Sequence, residues 1–102
     1  MDSIVALLQA LVRTPSRAGE DDLDPICALI ERWLTERKLN VRQLFAESGR
    51  RVGVYAEIRG QADGPWTILN ATLATGGFGD LATWSCGPTD ARIEGGWLWG
   101  RG

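Results

Sequence analysis

The sequence predicts an α/β fold in which two N-terminal helices precede a small mixed sheet. Glycine usage is the first observation behind this, because Gly19 alone precedes residue 49 while the other twelve of 13 glycines follow. The second is the spacing of apolar residues, which is helical before residue 38 and alternating from Asn40 onward. With 102 residues of 11.1 kDa, the chain suffices for one domain with a modest core, exposing roughly 5,600 Å² when folded.

Two helices are predicted, over residues 3–13 and 21–38. The first ends at Thr14-Pro15, because a residue that precedes proline is disfavoured in the α region. The second follows the acidic residues 20–22, and Pro25 fits its first position with Asp24 as the cap. The apolar stripes that predict these helices are Ile4, Leu7, Leu8, Leu11 and Val12, then Ile26, Leu29, Ile30, Trp33 and Leu34.

Five short strands are predicted after the helices. Their ranges are 40–46, 52–58, 66–71, 90–94 and 97–99. Alternation is clearest in 52–58, whereas Trp66-Thr67-Ile68-Leu69 is a continuous apolar run typical of a strand at the centre of a sheet. We therefore expect Trp66, like Trp33 on the second helix, to lie in the core.

Composition excludes several classes of function. No histidine is present, which excludes a histidine-based triad or general base and any zinc site built on imidazole. The net charge is −2 and the arginines are scattered, so we expect no nucleic-acid partner. The apolar runs are too short to span a membrane.

Two cysteines, Cys27 and Cys86, lie 59 residues apart and form no CxxC pattern. The simplest interpretation is a pair of inert thiols, with a disulfide or a reactive thiol as the alternatives. So few thiols, together with the lack of a signal-peptide pattern, predict a cytoplasmic location.

Several short motifs have ordinary interpretations. Residues 77–82 match the G-x-G-x-x-A dinucleotide fingerprint, but residues 84–88 leave no room for the helix that this fingerprint requires. Asn70-Ala71-Thr72 matches a glycosylation sequon at the end of a strand that we expect to be buried, so we expect no modification. The carboxylates of Asp80, Asp90 and Glu94 lie in loop-like contexts and form no obvious catalytic pair.

Three of the five tryptophans, Trp84, Trp97 and Trp99, lie in the glycine-rich C-terminal part. Because large aromatic side chains in such a context have no obvious place in a core, we consider them candidates for an interface or for the wall of a site.

The order of these elements resembles that of the zinc-dependent aminoacylase and carboxypeptidase family, which includes acetylornithine deacetylase and succinyl-diaminopimelate desuccinylase. Residues 4–16 resemble the opening helix and the I-P-S turn of that family, and residues 19–21 its acidic lead into the second helix. Residues 68–75 fall where the family has a strand ending in Gly-His-x-Asp. The most specific part is 95–102, whose Gly100-Arg101-Gly102 ending is similar to the G-R-G stretch of the family.

The resemblance implies an incomplete part of a three-layer α/β/α metallohydrolase domain, whose parent cleaves N-acyl amino acids or short peptides with two zinc ions. Thr72 stands at the position of the zinc-ligating histidine, and Ala74 at that of the aspartate that orients it. Neither side chain replaces these functions, because a hydroxyl is a poor zinc ligand and a methyl accepts no hydrogen bond. We therefore expect no zinc to bind and no activity from this chain alone.

The alternative is a non-catalytic module that keeps the fold and associates with a partner. An incomplete sheet exposes an edge strand, which favours pairing with another chain. We therefore expect either self-association or association with the remainder of a parent domain.

Overall fold

The structure, a computed structural model, describes residues 3–102 and contains two helices and two small antiparallel sheets. The elements are α1 (Ser3–Val12), α2 (Asp24–Thr35), β1 (Asn40–Phe45), β2 (Arg51–Glu57), a 3₁₀ turn (Leu81–Thr83), β3 (Arg92–Glu94) and β4 (Trp97–Trp99). The α/β class is therefore confirmed. The prediction of a single mixed sheet is wrong, because among residues 3–102 β1 pairs only with β2 and β3 only with β4, antiparallel in both cases.

The second helix is shorter than the predicted range of 21–38. It begins at Asp24, with Pro25 in its first turn, and its apolar stripe faces inward, with Ile26 and Cys27 buried. At its C-terminal end Leu39 N donates to Leu34 O at 3.2 Å and Lys38 N to Thr35 O at 2.8 Å. This pair of bonds forms a Schellman motif, with Lys38 in the left-handed region at φ 62°.

The first sheet is a hairpin that packs against α2. Its register pairs Val41 with Ala56 and Gln43 with Val54, with a β-bulge between Leu44 and Phe45. The Arg51 guanidinium at the start of β2 joins the hairpin to α2 through Asp24, with Nε 2.9 Å from Oδ1. The second sheet, β3–β4, turns at Gly95-Gly96, where both residues have positive φ as a tight hairpin requires.

The strand predicted over 66–71 is absent from the structure. Residues 63–74 contain no helix, strand, turn or bend, and the backbone of 66–69 makes no hydrogen bond to other backbone groups in the described part of the chain. Trp66 is 61% exposed instead of buried, and Ile68 is 86% exposed, whereas Trp33 is half-buried beside Arg37. An apolar run forms a strand only when another strand accepts its hydrogen bonds.

The buried core is small. It comprises Val12, Ile26, Cys27 and Ala91, together with the polar side chain of Ser16. The accessible surface is 7831 Å², against the roughly 5,600 Å² typical of a folded monomer of this mass. The radius of gyration is 15.9 Å, against about 13 Å for a compact chain of this length. Much apolar surface therefore lies open.

Candidate functional site

The turn after α1 forms a short backbone contact with residues 73–75, and the candidate site lies beside this contact. Thr75 N donates to Ser16 O at 2.9 Å, and Ala18 N donates to Thr75 O at 3.0 Å, which places the two segments parallel. The buried Ser16 hydroxyl donates to Leu73 O at 2.6 Å. Ser16 thus satisfies a carbonyl that has no strand partner, and it fixes the position of Thr72 and Ala74 on either side of Leu73.

A cavity of about 210 Å³, here called the Thr72 cavity, lies between this segment and α1. Thr72, Ala74, Arg101 and Gly102 all line it, so the structure brings these sequence-selected residues to one place. The rest of the wall is mainly apolar and includes Leu8, Leu11, Val12, Ile26 and Phe78. The lining offers apolar contact, hydroxyl groups and the side chain of Arg101, and it contains no side-chain carboxylate.

Arg101 joins the C-terminal residues to a glycine-rich loop, residues 76–79. Its Nη2 and Nε both donate to Gly77 O, at 2.6 and 3.2 Å, and its guanidinium lies 6.0 Å from the Trp84 ring centroid. Trp84 Nε1 in turn donates to Phe78 O at 2.7 Å. These bonds satisfy two successive carbonyls of a loop with no regular structure, so Arg101 and Trp84 hold the loop in place.

An arginine–carboxylate cluster of Arg17, Glu20 and Asp21 also contacts this loop. Arg17 Nε and Nη2 donate to Asp21 Oδ2 and Oδ1 at 2.8 and 3.0 Å, and Arg17 Nη1 lies 2.9 Å from Glu20 Oε2. The hydrogen bonds from Arg17 lower the pKa of Asp21 to about 2, while those to Asp21 raise the pKa of Arg17. Because Arg17 also lies over the Phe78 ring at 4.5 Å, the cluster packs against the loop.

The three candidate tryptophans do not all line one cavity. Trp84 and Trp99 line a cavity of about 330 Å³ with Cys86 and Gly100, whereas Trp97 is 71% exposed and lies outside it. Trp84 is half-buried and hydrogen-bonded to Phe78, so it has a structural contact within the chain. Trp97 and Trp99 on β4 are exposed.

The positions of the candidate metal ligands and of the two thiols are also given by the structure. Among residues 3–102, no three side chains of the types that commonly bind metals lie close enough to hold an ion. Both cysteines are free thiols, and burial raises the pKa of Cys27, which keeps it protonated.

Neither α1 nor α2 has the length and apolar character needed to cross a bilayer.

A second concave feature, here called the strand groove, lies beside the first sheet. Its walls are residues 54–58 on one side and residues 66–69 on the other, and its volume is about 550 Å³. Because β2 has a strand neighbour only at β1 within the described chain, its other edge is unpaired. The groove therefore lies beside two lengths of backbone that lack strand partners.

Sequence reasoning missed the roles of Ser16 and Arg17. Ser16 entered the sequence analysis only as the last residue of the I-P-S-like turn, and no local pattern shows that its hydroxyl binds a carbonyl 57 residues away. The i,i+3 and i,i+4 spacing of Arg17 to Glu20 and Asp21 was a usable signal for the salt bridges, since such spacing brings side chains together in a turn. The strand groove was also missed, because residues 66–69 were predicted to form a strand inside the sheet, whereas they are the exposed wall opposite residues 54–58.

Comparison of the chain with family models, with curated proteins and with solved structures found no match.

Proposed function

We propose that this chain is part of a metallopeptidase-like α/β/α amide-hydrolase domain, and that it has no hydrolytic activity by itself. The parent activity would be cleavage of N-acyl amino acids or short peptides. The main support is the Thr72 cavity, which Thr72, Ala74, Arg101 and Gly102 all line. These are the segments that carry the resemblance to the zinc-dependent aminoacylase and carboxypeptidase family, and they are distant in sequence but adjacent in space.

The residues of this site do not fit the zinc ions of that family. Thr72 offers a hydroxyl where an imidazole would bind metal, and Ala74 offers a methyl where a carboxylate would orient it. The remaining lining of the cavity adds no thiol and no side-chain carboxylate. These residues therefore supply no ligand for a catalytic zinc ion.

The test is an assay of the purified chain on N-acetylated amino acids and dipeptides, with and without added zinc, alongside calorimetric titration with zinc. We expect no turnover above the uncatalysed rate and no stoichiometric zinc binding below about micromolar Kd. Thr72→Ala is the matched control, because it removes the one side chain at the ligand position. Turnover that this substitution abolishes, or a tight zinc site in the native chain, would overturn the proposal.

The large open surface favours a second candidate function, that of a non-catalytic association module. The chain exposes 7831 Å², and its exposed large apolar residues include Ile58, Ile68 and Leu69 beside the strand groove. A patch of this kind is typical of a surface that another chain covers. The partner would be a second copy or the remainder of a parent domain, and sedimentation over a range of concentrations tests for the first.

A cytoplasmic location is also part of this proposal. Its support is that Cys27 and Cys86 are both free, which fits a reducing compartment. Alkylation of freshly lysed cells, followed by mass spectrometry of the chain, should find both thiols reduced. A disulfide in such a sample would contradict this location.

A further inference from the structure

We propose that two copies of this chain associate by reciprocal strand addition, in which residues 66–69 of one copy enter the strand groove of the other. This inference rests on the association function proposed above and names its surface and its partner. It follows from the geometry of the groove, the sequence of the inserted segment and the area that the chain leaves open.

The geometry of the groove suits an added strand. The unpaired edge of β2 forms one wall, and residues 66–69 form the other without a backbone hydrogen bond to the described part of the chain. An inserted strand would accept and donate hydrogen bonds on both of its sides. It would also cover Ile58, Ile68 and Leu69, which are 73%, 86% and 95% exposed.

The inserted segment has the composition of a pairing strand. Residues 64–79 contain no charged residue, and Trp66, Thr67 and Ile68 are all residue types that favour strands. Edge strands that avoid pairing usually carry lysine, proline or inward-facing charge at the edge, and 66–69 carries none of these. The segment also runs without a turn or bend, so little rearrangement is needed before it pairs.

A second copy is the favoured occupant, because one chain carries both halves of the contact. Each copy offers one groove and one apolar segment, so a two-fold exchange fills both grooves and the assembly closes as a dimer. The surface in excess of a compact monomer is about 2,200 Å², whereas a stable interface buries about 800 Å² on each partner. The net charge of −2 adds little repulsion between copies.

The test is sedimentation equilibrium of the native chain and of substitutions in the segment. We expect a concentration-dependent rise to twice the mass of one chain, 11.1 kDa. Ile68→Asp should weaken association at least about tenfold, because it places a charge in the apolar contact. Leu81→Asp is the matched control, since Leu81 is also exposed, at 61%, but lies in the 3₁₀ turn outside the groove.

A proline pair tests the backbone hydrogen bonds separately from the side chains. Thr67→Pro removes an N–H from the segment and should also weaken the dimer about tenfold, whereas Gln61→Pro, in the preceding loop, should change it less than about twofold. All four variants change exposed positions, so circular dichroism of each should match the native chain. Amide exchange should slow at residues 66–69 only as the chain concentration rises.

Several outcomes would overturn the inference. A monomer at every concentration up to about 1 mM excludes the dimer. Equal effects of Ile68→Asp and Leu81→Asp place the contact elsewhere, and slow exchange of 66–69 in the monomer means that the segment pairs within its own chain. Open-ended larger assemblies exclude the closed exchange. A dimer formed through another surface overturns this inference but leaves the proposed association function intact. The hydrolysis assay tests a different proposal, and its result changes neither of these.

Discussion

Gly100 lies against Val12 so closely that a Cβ atom on Gly100 would overlap Val12 Cγ1. The same Cβ would lie 3.1 Å from the carbonyl oxygen of Pro88. This close approach places the C-terminal residues against α1. Gln9 Nε2 on α1 donates to Ala91 O at 2.9 Å, and Arg101 N donates to Pro88 O at 2.7 Å within the C-terminal part. Glycine at position 100 is therefore a requirement of packing against α1.

Gly100→Ala should lower the free energy of unfolding by about 1–3 kcal/mol, because the added methyl forces Val12 and the Pro88 backbone apart. Chemical denaturation measures this. Gly64→Ala is the control, since a Cβ there meets no atom within 4 Å, and it should be nearly neutral. The double variant Gly100→Ala with Val12→Ala should lose less free energy of unfolding than the two single variants lose together. Strict additivity of the two losses would contradict the proposed contact.

Lys38→Gly should raise the free energy of unfolding by up to about 1 kcal/mol. Lys38 has φ 62° at the C-terminal end of α2, a conformation that costs side chains with a Cβ but not glycine. Lys38→Ala removes the charge and keeps the strain, so thermal unfolding should separate the two variants. Equal stability of Lys38→Gly and Lys38→Ala would contradict the strain argument.

Gln43→Met should stabilise the chain by about 1–3 kcal/mol. Both polar atoms of the Gln43 amide are buried in β1 without a hydrogen-bond partner, which leaves their desolvation uncompensated. Gln9→Met is the matched comparison of opposite sign, because it removes the bond from Gln9 Nε2 to Ala91 O at 2.9 Å. Urea midpoints should therefore move in opposite directions, and a loss of stability in both would be against this interpretation.

Acid should weaken the fold through Asp21. Its pKa falls from 3.8 to about 2 because Arg17 donates hydrogen bonds to the carboxylate. A lowered folded-state pKa gives stability that is complete above pH 3.8 and is lost as the pH falls to about 2. Unfolding measured across that window should show a smaller pH slope in Asp21→Asn.

Arg17→Gln is the control for the acid experiment, because it removes the cause of the shift and should flatten the same window. The double variant Arg17→Gln with Asp21→Asn should show a pH slope of the unfolding free energy no smaller than that of either single variant. An unchanged slope in Asp21→Asn would assign the acid sensitivity to other carboxylates.

Local features of the fold were predictable where short-range physics decides them. The stripe from Ile26 to Leu34 and the position of Pro25 led to α2, although its C-terminal end came earlier because Lys38 takes the left-handed conformation. The predicted strands 90–94 and 97–99 likewise correspond to the β3–β4 hairpin, since the consecutive glycines 95 and 96 between them accept the positive φ of a tight turn. Thr72, Ala74, Arg101 and Gly102 were singled out through a resemblance and not through periodicity, and in the structure they line one cavity.

Apolar residues alone did not decide where strands form. Trp66 to Leu69 are as apolar as a central strand, yet they lie exposed, because a strand is completed by hydrogen bonds from another segment. The absence of histidine, the sharp change in glycine usage and the helix periodicity were set by the sequence itself. Only the tertiary structure decided that Ser16 donates a hydrogen bond to Leu73 O and Arg101 to Gly77 O. It also decided that residues 54–58 and 66–69 form the two walls of the strand groove. The first two contacts join residues 57 and 24 positions apart in the chain, and no local pattern encodes them. The groove depends on the path that residues 59–65 take between its two walls.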